Sequence, residues 1–125
     1  MYIALAALIA LHGLAHMVGF AAPFGYLKDS PPLDSLFFNR VTLPDAAMKA
    51  IGILWLGTVI LFVVAAVGII RRESWWTTMT LAACVISSVL TIAFLPYAKI
   101  GLAVNVALFA FLYLNRTSAW IPGSA

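Results

Sequence analysis

Two histidines lie four residues apart in an otherwise apolar stretch, at either end of the segment His12 to His16. Side chains with this spacing share one face of a helix, so both imidazoles point the same way. Imidazole titrates near neutral pH and is the commonest metal ligand. The pair is therefore able to bind a metal ion or haem, relay protons, or hold a substrate or lipid headgroup. The alternative is that each imidazole only hydrogen-bonds a neighbouring helix and fixes the packing.

Neither a zinc-protease site nor bis-histidine haem ligation is supported by the spacing. The two histidines match the ends of the motif H-E-x-x-H, but Gly13 replaces the glutamate and no third ligand is evident. Haem held between two helices by histidines needs one on a second helix, and this chain has only the two. Cys84 is the only cysteine, which excludes an intrachain disulfide and any Cys-based zinc motif. A metal on His12 and His16 stays an open alternative.

Further polar side chains occur in two later apolar runs. Hydroxyl residues recur at steps of three or four in the third run, which places most of them along one stripe of a helix; they include Ser87 and Ser88. Asn105 lies deep in the fourth run, where an amide with two donors and an acceptor should seek a partner on another helix. We predict that His12, His16, Ser87 or Ser88, and Asn105 converge on one polar, ligand-binding centre.

The elements that position these residues are predicted to be four membrane-spanning helices. Of the 125 residues, 65% are hydrophobic and 9% charged, whereas soluble domains average about 45–50% apolar and about 25% charged. Four apolar runs approach the length of about 20 residues that crosses a bilayer. We expect spans at residues 2–22, 48–70, 75–95 and 97–114, with the loop 23–47 partly in the interface. The predicted fold is an all-α, up-down-up-down integral membrane four-helix bundle with both termini on the same side.

Charge restricts both the partners and the orientation. The net charge is +3, from seven scattered cations that form no basic stripe, which excludes a nucleic-acid surface. The lipid bilayer is the expected partner. Cations are almost evenly divided between the two ends of the predicted bundle, but short loops follow the positive-inside rule best. The tight turn at Arg71 and Arg72 therefore favours cytoplasmic termini in the cell membrane.

The predicted spans contain no Asp or Glu. The small multidrug-resistance transporters have a similar length and four spans, but they depend on a glutamate in the first helix. This sequence lacks that glutamate, so it departs from these transporters at the residue that drives their proton-coupled exchange.

A resemblance to a known family rests on four short segments. These are residues 11–20 (LHGLAHMVGF), 52–56 (GILWL), 75–76 (WW) and 96–101 (PYAKIG), together with Asn105. They resemble a family of small uncharacterised bacterial four-span membrane proteins, some of which are loosely labelled transporter permeases. The resemblance covers nearly the whole chain and implies the four-span fold. It implies no activity.

Three classes of function remain open. The favoured class is a non-enzymatic binding or helper subunit that packs against itself or another membrane protein and shields a polar pocket. The second is a component of a small-molecule or ion transporter that acts as a homo-oligomer. The third is a membrane redox protein that holds a metal or haem with His12 and His16.

Overall fold

Long helices dominate the chain. The structure, a computed structural model, describes residues 1–29, 33–118 and 121. Its elements are α1 (Tyr2–Ala15), α2 (Met17–Ala21), β1 (Ser35–Leu36), β2 (Val41–Thr42), α3 (Asp45–Arg71), α4 (Trp76–Ala93) and α5 (Lys99–Ser118). Helices α1 and α2 together form span one, and α3, α4 and α5 are spans two, three and four. All four are long and apolar enough to cross a membrane. A helix suits that role because it satisfies its own backbone hydrogen bonds where no water is present.

The bounds of the helices differ from the predicted intervals mainly at two ends. Helix α3 begins at Asp45, ahead of residue 48, and the Asp45 carboxylate accepts a hydrogen bond from Lys49 at 2.8 Å. An acid in the first turn and a cation one turn later both favour helix. Helix α5 continues to Ser118, beyond residue 114. The first extension begins with the charged Asp45 and the second consists of polar residues 115–118, so hydropathy alone leaves both outside a span.

The helices pack in chain order. Span one packs against span two, span two against span three, and span three against span four. Tight connections explain this order, because α3 ends at Arg71 and α4 begins at Trp76 after a left-handed residue, Arg72, with φ 58°. Among the described residues, spans one and four are not closely packed against each other. The bundle is therefore open along one side.

Two glycines allow spans one and two to approach closely. A Cβ added to Gly13 would lie 2.5 Å from Cβ of Phe62, and one added to Gly19 would lie 2.5 Å from the Trp55 ring. Small residues at helix contacts are the usual basis of close packing in membranes, where lipid is as apolar as the helix surfaces. These glycines bring the aromatic side chains of span two against the face of span one that carries the histidines.

A short hairpin in the first loop covers one end of span three. Strands β1 and β2 pair antiparallel with Leu36 opposite Val41. At its tip the amides of Phe37 and Phe38 donate to the carbonyls of Ala93 and Leu95, at 2.8 and 3.1 Å. These bonds use the carbonyl of the last residue of α4 and that of Leu95, just beyond the helix, which have no partner within the helix. The loop is thus tied to the bundle at the end where the second half of span one and the start of span four also lie.

Candidate functional site

The backbone of span one changes its hydrogen bonding at His16, which lies between α1 and α2. The His16 amide donates to the carbonyl of Gly13, three residues back, at 3.0 Å. The carbonyl of His12, the ordinary acceptor for that amide in an α-helix, lies 2.8 Å from Nδ1 of the His16 ring. One turn of tighter helix therefore places the His16 imidazole back against its own helix and turns its Nε2 toward span three.

Four hydrogen bonds form a closed ring across three spans. Nε2 of His12 lies 2.8 Å from Oδ1 of Asn105. Nδ2 of Asn105 donates to Oγ of Ser87 at 2.7 Å, and Oγ of Ser87 lies 2.6 Å from Nε2 of His16. The contact between Nδ1 of His16 and the His12 carbonyl closes the cycle. We call this the polar ring.

The direction of every bond in the polar ring follows from one acceptor. The carbonyl of His12 can only accept, so Nδ1 of His16 carries hydrogen and donates. In a neutral imidazole Nε2 of His16 is then a bare acceptor, which the Ser87 hydroxyl fills. Ser87 accepts in turn from the amide nitrogen of Asn105, and the Asn105 oxygen accepts from Nε2 of His12. With one proton on each imidazole, the ring is satisfied at every step.

Aromatic side chains of span two fix the two imidazoles in place. The ring centroids of His12 and Phe62 are 4.9 Å apart, and those of His16 and Trp55 are 5.0 Å apart. The two imidazoles themselves meet edge to face at 4.7 Å. Edge-to-face and tilted arrangements of this kind are favourable for rings with a quadrupole. The histidines are thus held by packing from span two and by hydrogen bonds from spans three and four.

The polar ring is almost completely enclosed. Asn105 and Ser87 have no exposed surface, and His12 retains 7% of its own. A buried polar group left without a partner costs roughly 1–3 kcal/mol, so loss of one member would leave its neighbours costly to bury. The arrangement therefore stabilises one particular packing of the spans as well as presenting a polar surface.

A cavity of about 490 Å³ lies beside the polar ring, between spans one and four. His12, His16 and Thr91 contribute its polar wall, while the rest is mostly apolar: Leu8, Leu11, Ala15, Val18, Gly19, Leu33, Trp55, Phe94, Tyr97, Ala98, Ile100, Gly101 and Val104. None of these described lining residues carries a formal charge. We call this space the cleft. An apolar cavity with a few convergent polar groups is the usual form of a small-molecule site.

The cleft opens sideways, toward the surface that lipid would cover. Leu11 of span one and Ile100 of span four both line it, yet they are 67% and 74% exposed. These two residues lie on spans one and four, which are not closely packed against each other. A molecule dissolved in the bilayer could thus enter between these spans without crossing the aqueous ends of the bundle.

The structure brings four of the five sequence-predicted site residues into contact. His12, His16, Ser87 and Asn105 form the polar ring. Ser88 lies outside it: the residue is half-buried, does not line the cleft, and offers its backbone carbonyl to the Thr91 hydroxyl at 3.2 Å. Adjacent residues of a helix are about 100° apart around the axis, so only one of the two serines can point into the ring.

Sequence reasoning did not assign Trp55 and Phe94 to the site, although both line the cleft. Large aromatic residues in apolar runs are typical of any helix core, so their identity alone carries no signal for a site. The glycines of span one were an indirect signal, because small residues leave space for a close neighbour on another helix. Trp55 fills the space that Gly19 leaves.

The geometry also bears on the metal alternative. Both ring nitrogens of His16 are committed to hydrogen bonds, so a metal ion shared by His12 and His16 would require one of those bonds to break. Within the described residues, no three His, Cys, Asp or Glu side chains come close enough to hold a metal ion together. The contacts therefore favour hydrogen bonding over ligation for His16.

Comparison of the chain with protein-family models, with curated proteins and with solved structures finds no match. The resemblance to small bacterial four-span proteins stays a prediction.

Proposed function

We propose that this chain is a small multi-pass protein of the cell membrane that binds a small molecule without transforming it. The site is the cleft between spans one and four, and the polar ring is its inner wall. The observation that carries the proposal is the position of His12, which belongs both to the polar ring and to the lining of the cleft.

A role in recognition fits the chemistry of the polar ring better than a role in catalysis. General acid–base catalysis needs a group that exchanges a proton with the substrate during the reaction. In the ring, both nitrogens of His16, the hydroxyl of Ser87 and Nε2 of His12 are engaged in hydrogen bonds. The ring leaves only Nδ1 of His12 unused, and no Asp or Glu occurs within any of the four apolar runs to make that imidazole a stronger base. Such a wall orients a ligand, and its own bonds keep it rigid.

The surroundings suggest how such a protein would act. The lipid bilayer is its first partner. The chain also packs against another copy of itself or against another membrane protein, and in such a complex it is a helper or binding subunit. Cytoplasmic termini are part of the proposal, on the charge of the Arg71–Arg72 turn. Four short spans with an uncharged interior do not enclose a pore alone, so a transporter role would require several copies.

Filling the cleft tests the proposed function. Ala15 is exposed and lines the cleft but is not a member of the polar ring, so Ala15→Phe should block the space without breaking the ring. Ala7 is an exposed alanine of the same helix outside the lining, which makes Ala7→Phe the matched control. The molecules that co-purify with each variant from the membrane are identified by native mass spectrometry. We expect one species to be lost in Ala15→Phe and kept in Ala7→Phe. Identical ligand content in both variants and the parent chain would overturn the proposal.

A further inference from the structure

We propose that the ligand of the cleft is an uncharged amphiphile that presents a hydroxyl group to Nδ1 of His12. This inference rests on the proposed function and names the chemical class of the ligand. It follows from the direction of the hydrogen bonds, from the charges around the cleft and from its opening to lipid.

The polar ring leaves His12 with one unused acceptor. Nε2 of His12 donates to Asn105 because the carbonyl of His12 fixes the direction of the whole ring. The four acids of the chain, Asp29, Asp34, Asp45 and Glu73, all lie outside the centres of the spans, so an imidazolium at this depth would lack a carboxylate partner. The imidazole is therefore neutral, and its Nδ1 carries a lone pair that none of the four ring bonds uses.

The residue that carries the remaining acceptor belongs to the wall of the cleft. Asn105, which takes up Nε2, is fully buried and is not part of the lining, whereas His12 is. Phe62 and His16 pack against the imidazole from span two and from the next turn of span one. His12 is more than nine-tenths buried beside a cleft with mostly apolar walls, so a nitrogen without a protein donor gains from a donor brought by a ligand.

The donor must be uncharged. No described lining residue is charged, so neither an ammonium nor a carboxylate or phosphate would find a counter-ion there, and a charge without one is costly at membrane depth. An amide N–H would bring a carbonyl that also needs a donor. The hydroxyl of Thr91 is already directed to the Ser88 carbonyl, and both imidazole N–H groups are used in the ring. The other donors of the lining are the hydroxyl of Tyr97 and the indole N–H of Trp55, so an amide would have to reach one of them and Nδ1 of His12 together. A hydroxyl needs only Nδ1 of His12 and is therefore the simplest neutral donor that fits.

The rest of the ligand must be apolar and must come from the bilayer. Leu8, Leu11 and Val18 form one side of the cleft, and Ile100 and Val104 form the other. Because the exposed Leu11 and Ile100 flank the opening, a hydrocarbon tail can extend from the cleft into lipid. Long-chain alcohols and alkylated phenols have this combination of a neutral hydroxyl and an apolar body.

The experiment compares three bromoalkyl probes of equal chain length: an alcohol, its methyl ether and a carboxylate. Trp55 lines the cleft, so a bound bromine atom quenches its fluorescence, and Trp55→Phe provides the background. In the full chain in lipid nanodiscs, we expect the alcohol to bind about 2- to 10-fold more tightly than the ether, the range that one net hydrogen bond gives. The carboxylate should bind most weakly.

Variants of His12 and Ser88 complete the test. In His12→Leu the imidazole is lost together with its free acceptor at Nδ1, so the preference for alcohol over ether should disappear. Ser88→Ala lies outside the polar ring and the lining and should keep it. Equal affinity of alcohol and ether in the parent chain would overturn the hydroxyl inference and leave the binding cleft standing. If no probe quenches Trp55, the proposed function itself fails.

Discussion

Nε2 of His12 and Oδ1 of Asn105 lie 2.8 Å apart although 93 positions separate them in the sequence. Their hydrogen bond joins spans one and four, which are not closely packed against each other among the described residues. This hydrogen bond therefore connects two spans across the open side of the bundle, and we call it the tie. Its loss should lower the stability of the bundle and change the width of the cleft.

Replacement of Asn105 by leucine is the direct test of this tie. The variant replaces the amide with an apolar side chain of similar branched shape and leaves Nε2 of His12 without its acceptor and Ser87 without its donor. We expect the free energy of unfolding in detergent to fall by about 0.5–2 kcal/mol, the range for hydrogen bonds between membrane helices. Thermal melting followed by circular dichroism measures it. Val106→Leu, on the exposed face of the same helix, is the control and should be close to neutral.

The two serines of span three form a matched pair. Ser87→Ala removes the hydroxyl that bridges His16 and Asn105, whereas Ser88→Ala removes one outside the ring. We expect Ser87→Ala to lower the melting temperature and Ser88→Ala to leave it nearly unchanged. The double variant of Ser87→Ala with Asn105→Leu should cost less than the sum of the single variants, because both break the same network. Additive losses would contradict a closed ring.

Two glycine-to-alanine variants, at Gly13 and Gly57, test the close contact of spans one and two. In Gly13→Ala the new methyl group would lie 2.5 Å from Cβ of Phe62, which is not the flexible end of a side chain. The helices must separate, and overpacking of this kind costs about 1–3 kcal/mol. Gly57 has open space around it, so Gly57→Ala should be neutral or should stabilise the chain by up to about 1 kcal/mol through helix propensity. Equal melting temperatures for the two variants would show that the contact is not close.

The fold was predictable because four long apolar runs stand out in the sequence, although the ends of two helices differ from the predicted bounds. The break at His16 was not, since Gly-Leu-Ala-His gives no proline or charge to mark it, and it arises when the His16 ring takes the carbonyl of its own preceding turn. The hairpin was also not predicted. Its short strands lack the alternation of a longer strand, and its tip is held by carbonyls of α4 that are distant in sequence.

The candidate site was predictable in its membership more than in its geometry. Polar residues in lipid must find one another, and this rule points to His12, His16 and Asn105 without a structure. It does not choose between Ser87 and Ser88, because the rotation of α4 about its axis depends on how that helix packs. Nor does it reveal the cleft, which exists because spans one and four do not close against each other.

The up-down-up-down order predicts the sidedness of three positions. Reporter fusions at Arg72 and at the C-terminus should give the same localisation, and a fusion at Asp34 in the first loop should give the opposite one. The reason is that four spans return the chain to the side on which it began. If the termini are cytoplasmic, a reporter that fluoresces only in the cytoplasm should be active at Arg72 and at the C-terminus. Alkaline phosphatase, which is active only outside the cytoplasm, should be active at Asp34. Opposite localisations at Arg72 and the C-terminus would contradict the four-span model.

The hairpin should behave as an ordered part of the bundle. The amides of Phe37 and Phe38 donate to the carbonyls of Ala93 and Leu95, and a hydrogen-bonded amide exchanges with solvent only when its bond opens. We therefore expect slow hydrogen exchange at these two positions in nanodiscs. Among the described residues, Leu27 and Lys28 of the same loop donate no backbone hydrogen bond, so their fast exchange is the internal reference.

Proteolysis gives an independent measure of the same segment. Residues 33–41 should survive limited digestion while the bundle is intact and should be cleaved after it melts. The reason is that hydrogen bonds to the end of span three hold this segment in place. The variant Ser35→Ala removes the hydroxyl that donates to Asn39 within the hairpin but keeps the two bonds to the carbonyls of Ala93 and Leu95, so exchange at Phe37 and Phe38 should remain slow. Exchange at these amides as fast as at Lys28 in the parent chain would show that the hairpin is not bound to the bundle.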